Sequence, residues 1–145
     1  MLVWSRMRGT GPLGVEEALP ATAVIPLVLP SVVFIRSDSG LGSGFVFNKK
    51  GLIMTNRHVV AGSGITKYQI TTDRGLKTEA RLIYVDEKLD FALLEPDYKI
   101  KAKPIPICYK NYPLAGEDVI AIGSPSGITG TVTKGVVSAV RFPVD

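Results

Sequence analysis

Between Ser31 and Glu95 the chain alternates short strand-like runs with turns, and this constrains the fold more than any other feature. Ser31–Ile35, Ser43–Asn48, Leu52–Thr55, Tyr68–Thr72, Lys77–Val85 and Asp90–Glu95 each read as strands. They are rich in Val, Ile, Thr and aromatic residues, which suit a pleated, half-buried surface. Ser37–Gly40, Lys49–Gly51, Gly62–Gly64 and Asp73–Gly75 carry the Gly, Asp, Ser and Lys of turns. The short Gly turn at 49–51 joins its flanking runs as a hairpin. Six strands this tightly spaced predict an all-β fold whose sheet closes, or nearly closes, into a barrel.

The remainder is organised differently. Pro96, Pro104, Pro106 and Pro113 mark 96–113 as a linker lying over the surface, because proline cannot donate to a central ladder. Strand character returns at Val119–Gly123 and Thr131–Val140, so 114–145 reads as the first two strands of an incomplete second unit. Two strands are rarely stable alone, and Ile120, Ile122, Val132, Val136, Val137 and Val140 have few covering neighbours, so this part is expected to be mobile, packed back on the first barrel, or paired with another copy. Residues 1–30 read as an irregular arm or a degenerate targeting segment, with Arg6 and Arg8 ahead of the apolar stretch Ala18–Pro30. That stretch holds Pro20, Pro26 and Pro30 and falls short of the roughly 20 apolar residues of a membrane helix, so no span is expected.

Composition narrows the function classes. The net charge is +4, but the cations are scattered, and the densest group, Lys99, Lys101 and Lys103, has no aromatic ladder beside it. The expectation is a solvated basic surface and no nucleic-acid site. Cys108 is the only cysteine and His58 the only histidine, so neither an intrachain disulfide nor a Cys–His metal cluster can form.

His58 follows the apolar run Leu52–Thr55, and Asp90 heads the apolar run Phe91–Leu94. A single histidine is more often structural or merely exposed, and an acid at a strand head can be an ordinary turn carboxylate. Yet an imidazole titrates near neutrality and can take and return a proton. A buried carboxylate beside it, here Asp90, would fix its tautomer and stabilise its cation. The 32 residues between them (90 − 58) let the chain run out through two strands and return to the same barrel end.

Here a family resemblance becomes specific. Thr55–Asn56–Arg57–His58–Val59–Val60 and Asp90–Phe91–Ala92–Leu93–Leu94 resemble the His and Asp segments of the HtrA (Deg) branch of trypsin-like serine proteases. Gly42–Ser43–Gly44–Phe45–Val46 resembles the strand ahead of the histidine. Ala121–Ile122–Gly123–Ser124–Pro125–Ser126–Gly127 and Thr131–Ala139 resemble the opening strand and turn of the second barrel and the strand that follows. The resemblance implies a trypsin-like double β-barrel, with the first barrel complete and the second truncated. It further implies endoproteolysis through an acyl-enzyme, with His58 as general base, Asp90 as its orienter and no metal or organic cofactor. It implies unfolded or misfolded proteins as substrates, oligomeric assembly, and an extracytoplasmic (periplasmic) location that the residues themselves leave undetermined.

The family's nucleophile sits in a Gly-x-Ser-Gly-Gly segment, and this sequence contains none. Ser43 lies between glycines better explained by close backbone approach, Ser124 and Ser126 lie in a turn, Ser138 falls inside a strand pattern, and Cys108 falls in the linker. The expectation is a chain that does not cleave protein by itself. The alternatives are a non-catalytic peptide-binding or interaction module on the same barrel, or an enzyme completed by another polypeptide.

Overall fold

In the computed structural model the described residues are 2–5, 8–10, 16–18, 20–37, 40–60, 64, 67–107, 113–123, 131–136 and 138–139. Strand β1 is Leu2–Ser5, and β2 (Arg8–Thr10) pairs with β3 (Glu16–Ala18). Helix α1 spans Ala21–Val28 and ends in a 3-10 turn, Leu29–Ser31. Then come β4 (Val32–Ser37), β5 (Gly40–Val46), β6 (Ile53–Asn56) and the single-turn helix α2 (Arg57–Val60). They are followed by β7 (Lys67–Thr72), β8 (Lys77–Asp86), β9 (Phe91–Pro96), β10 (Asp118–Gly123) and β11 (Thr131–Val136).

The expected barrel is closed, in the order β4-β5-β6-β9-β8-β7, with every neighbouring pair antiparallel. Closure removes the sheet edges that would otherwise recruit other chains. The interior holds Val33, Ile35, Ile53, Tyr68, Ile70, Ala80, Ala92 and Leu94, with Val60 of α2 packed among them. Alternation explains this set, since successive strand residues face opposite sides.

Strand β4 is apolar on both faces because both faces are covered. Val33 and Ile35 fill the barrel, while Val32 and Phe34 join a second core with Val24, Val28, Ile105, Ile120 and Ile122. This second core corrects several expectations. Ala21–Val28 is helical, not irregular, and presents Val24 and Val28, one helical turn apart, to the core. Of the outcomes expected for the second part, packing back on the barrel is the one seen at Ile120 and Ile122, which are 7% and 2% exposed and pack with Val32 and Phe34, whereas Val136 is 60% exposed. The sheet beside them has three strands, β1-β10-β11, not two, because β1 pairs along β10 from Leu2↔Ile122 to Ser5↔Val119. Strand β11 stops at Val136, so Ser138 is exposed coil; Val137 and Val140 lie outside the described residues. The proline-rich segment carries one anchor: Ile105 is buried, and its N–H donates to the Val46 carbonyl at 2.8 Å. Among the described residues no helix is long and apolar enough to cross a membrane.

Close approach at Gly44 sets the spacing of β5 and β6. A Cβ there would lie 2.7 Å from the Met54 carbonyl oxygen and 2.9 Å from Ile53 Cγ2. Backbone cannot yield as a side-chain tip does, so Gly44→Ala should cost about 3 kcal/mol through overpacking. At Gly135 an added Cβ meets nothing within 4 Å, so Gly135→Ala serves as the control. Urea unfolding midpoints check this, and a Gly44→Ala midpoint equal to that of Gly135→Ala would contradict it.

Candidate active site

The site forms at one end of the barrel, where β6 and β9 pair as Asn56↔Phe91. That register alone brings Arg57 and His58, just past β6, beside Asp90, just before β9. The backbone fastens them: the Arg57 N–H donates to the Asp90 carbonyl at 3.0 Å, and Asn56 Nδ2 donates to the same oxygen at 3.4 Å.

The turn into Asp90 is built by Asp86. Its Oδ1 accepts the N–H groups of Lys88 (3.0 Å) and Leu89 (2.9 Å), while Tyr84 donates its hydroxyl to Oδ2 at 3.2 Å. The Leu89 N–H above all holds the Asp86 carboxyl below its usual range. Asp90 then takes φ +52°, the only positive φ outside glycine among the described residues. Aspartate tolerates this left-handed conformation better than most residues.

Helix α2 is held from two sides. Val59 packs so close to β5 that a Cβ on Gly42 would sit 2.6 Å from both of its methyls, and the buried Tyr68 hydroxyl donates to the Val60 carbonyl at 3.3 Å. Thr55, on the strand leading into α2, donates its hydroxyl to the Ser43 carbonyl at 2.8 Å. The two glycines flanking Ser43 therefore serve packing, as the sequence suggests, and Gly42 does so directly beneath the histidine's helix.

Within this frame His58 Nδ1 lies 3.1 Å from Asp90 Oδ2. A carboxylate only accepts, so Nδ1 carries the proton and donates it. The His58 main-chain N–H donates to Oδ1 at 3.2 Å, so the residue engages both carboxylate oxygens. Asp90 is held below the ordinary carboxylate range, first by the imidazole hydrogen bond, with the nearby Arg57 guanidinium a lesser contribution (Nε to Oδ1 4.0 Å). With Nδ1 protonated, a neutral imidazole has its lone pair on Nε2, which has no partner among the described residues. The pair can thus accept a proton at Nε2 and stabilise the resulting cation.

One expectation needs correction. The residues suggest a buried orienting acid, but the Asp90 side chain is 50% exposed and that of His58 68%. Sequence reasoning also missed Arg57, whose Nε is buried without a hydrogen-bond partner among the described residues. Two of the described serines are closed to substrate. Ser31 and Ser43 are each 1% exposed, with Ser31 donating to the Lys103 carbonyl, and neither can meet a substrate. Ser124, Ser126 and Cys108 lie outside the described residues.

Comparison with known proteins identifies the family. Residues 42–144 match the trypsin-like peptidase domain family. Serine protease HTRA1B of Danio rerio is 39% identical over 128 residues, which cover 88% of this chain and 26% of that protein. The probable periplasmic serine endoprotease DegP-like of Bartonella henselae is 39% identical over 98 residues, covering 68% of this chain and 19% of that protein. The chain spans about a quarter of the length of such curated relatives. The crystal structure of the serine endoprotease from Yersinia pestis superposes with a TM-score of 0.71 at 33% identity, covering 83% of this chain and 46% of that one. A closed six-stranded barrel with a smaller second sheet, carrying these motifs in this order, belongs to the trypsin-like peptidases, in their HtrA/DegP branch.

Proposed function

We propose that His58 is the general base and Asp90 its orienter in acyl-enzyme proteolysis, and that the nucleophilic serine comes from a Gly-x-Ser-Gly-Gly segment that this sequence does not contain. The observation that carries the reading is the 3.1 Å contact from Nδ1 to Oδ2, which leaves Nε2 as the basic nitrogen. His58 would take the serine proton during attack and return it to the leaving amine. The same segment would supply backbone N–H donors for the oxyanion, each contributing on the order of 3 kcal/mol to the transition state. No metal or organic cofactor has a part in this chemistry.

The reading divides the chain into a barrel at 31–95 bearing the acid–base pair, a connecting segment at 96–113, and the opening strands of a second barrel from 114. The substrates are unfolded or misfolded proteins, the assembly a homo-oligomer or a complex with a completing polypeptide, and the setting extracytoplasmic. The periplasmic designation of the Bartonella relative supports the last point.

A fluorophosphonate probe, which labels only activated serines, tests the proposal. The chain alone should not be labelled. Mixed with a polypeptide carrying the serine-bearing half of a relative, it should promote labelling of that serine, and His58→Ala should abolish the effect. Labelling of a serine within this chain, or reconstituted labelling indifferent to His58→Ala, would defeat it.

A further inference from the structure

The barrel end away from His58 carries a feature that the peptidase reading does not use. The pairings Val33↔Thr72, Val46↔Ile53 and Ala80↔Pro96 place the β7–β8 turn and the segment after β9 together at this end. Between them lies a groove of about 540 Å³, which falls within the usual range for ligand sites. Arg74 and Lys77 line it from the turn, and Lys99 and Lys101 from the segment after β9.

Ile100 packs against the barrel core, and Lys99 and Lys101 on either side of it both line the groove. The Lys99 stem runs over Gly51, where even a Cβ would come within 3.0 Å. None of the four cations forms an ion pair among the described residues, whereas Lys67 pairs with Glu79 and Asp97, and Arg81 with Glu95. Asp73 is the one acidic side chain lining the groove, leaving an excess of three positive charges (4 − 1). Leu76 and Tyr98, among its lining residues, are 70% and 79% exposed.

We propose that this groove docks an extended acidic peptide segment bearing a large apolar side chain. Four unpaired cations set the charge of the occupant, and the exposed leucine and tyrosine offer it an apolar anchor. An inorganic anion would leave that apolar surface wet, whereas a peptide of acidic and apolar residues meets both. The site stands apart from His58 and Asp90, so the peptidase proposal can fail without affecting it.

Fluorescence anisotropy of the full chain with a fluorescein-labelled peptide of interspersed Glu and Leu tests the assignment. Saturable binding is expected, weakening severalfold or more between about 50 mM and about 500 mM salt, as screening shortens the reach of the charges. Lys99→Glu/Lys101→Glu should reduce affinity about tenfold or more, the cost of replacing two attractions by repulsions. Lys134→Glu, at an exposed cation of the other sheet, should leave it unchanged. Lys99→Gln/Lys101→Gln, which introduces no repulsion, should give an intermediate loss with an unaltered circular dichroism spectrum, separating lost docking from lost folding. Leu76→Ser/Tyr98→Ser should also weaken binding. The proposal is overturned by absence of binding, by equal losses in the Lys134 and Lys99/Lys101 variants, or by an oligonucleotide of equal charge binding as tightly as the peptide.

Discussion

In an enzyme completed by the serine-bearing half of a relative, Asp90→Asn should lower kcat by about ten-thousand-fold, the loss known for this substitution in Ser-His-Asp enzymes. The reason lies in the hydrogen-bond direction at Nδ1. Asp90 Oδ2 accepts the Nδ1 proton at 3.1 Å, and Oδ1 accepts the His58 main-chain N–H at 3.2 Å. The carboxamide of asparagine has one acceptor and one donor. Its oxygen can remain on the main-chain N–H, which places the NH₂ group opposite Nδ1. The imidazole then accepts at Nδ1, the proton moves to Nε2, and the nitrogen needed as base has no lone pair. Substrate binding involves neither atom, so KM should change little. A steady-state comparison of the two proteins on a peptide substrate decides the matter, and an Asp90→Asn enzyme within tenfold of the parent would remove Asp90 from the mechanism.

Much of this site was legible because it is local in strand register. Once β6 and β9 are antiparallel neighbours, residues just after one and just before the other must meet. The two motifs mark those positions. The six barrel strands were legible for a related reason, since each is a short β-rich run closed by a turn with Gly, Asp or Lys. The incomplete match at Asp90 concerns exposure, which depends on what packs over the barrel end and leaves no local signature.

What the sequence hid is non-local. The prolines in Ala18–Pro30 argue against a helix, yet their positions are compatible with one. Pro20 occupies the N-cap, where no intrahelical N–H is needed, and Pro30 lies in the 3-10 turn beyond the helix. Only Pro26 falls inside, depriving the Thr22 carbonyl of its partner one turn earlier. The pairing of β1 with β10 joins residues near opposite ends of the chain, and no periodicity announces it. The basic groove was hidden in the same way. Arg74 and Lys77 look scattered from Lys99 and Lys101 until antiparallel pairing brings their segments to one end of the barrel.

Helix α1 gives the largest expected effect on folding. Val24 is 1% exposed and packs with Val28, Val32, Phe34, Ile105, Ile120 and Ile122. Those neighbours offer a carboxylate no cation and no donor, so Val24→Asp must either bury an unpaired charge or detach the helix. Either outcome should cost on the order of 3 kcal/mol or more, a large share of the stability of a small domain. The damage should be uneven. The barrel interior of Val33, Ile35, Ile53, Ile70 and Leu94 does not contain Val24, and a closed sheet keeps its hydrogen bonds without the helix. The β1-β10-β11 sheet has no such independence, because Ile120 and Ile122 would lose part of their cover. Hydrogen exchange on Val24→Asp should therefore show protection lost along Asp118–Gly123 and Thr131–Val136 while Ile53–Asn56 and Phe91–Pro96 remain protected. Leu27→Asp is the control, because Leu27 on the same helix is 58% exposed and its replacement should leave both regions protected. Equal loss across the barrel and the second sheet in Val24→Asp would show that the two cores unfold as one unit. Unchanged protection in both would show that α1 contributes nothing to either.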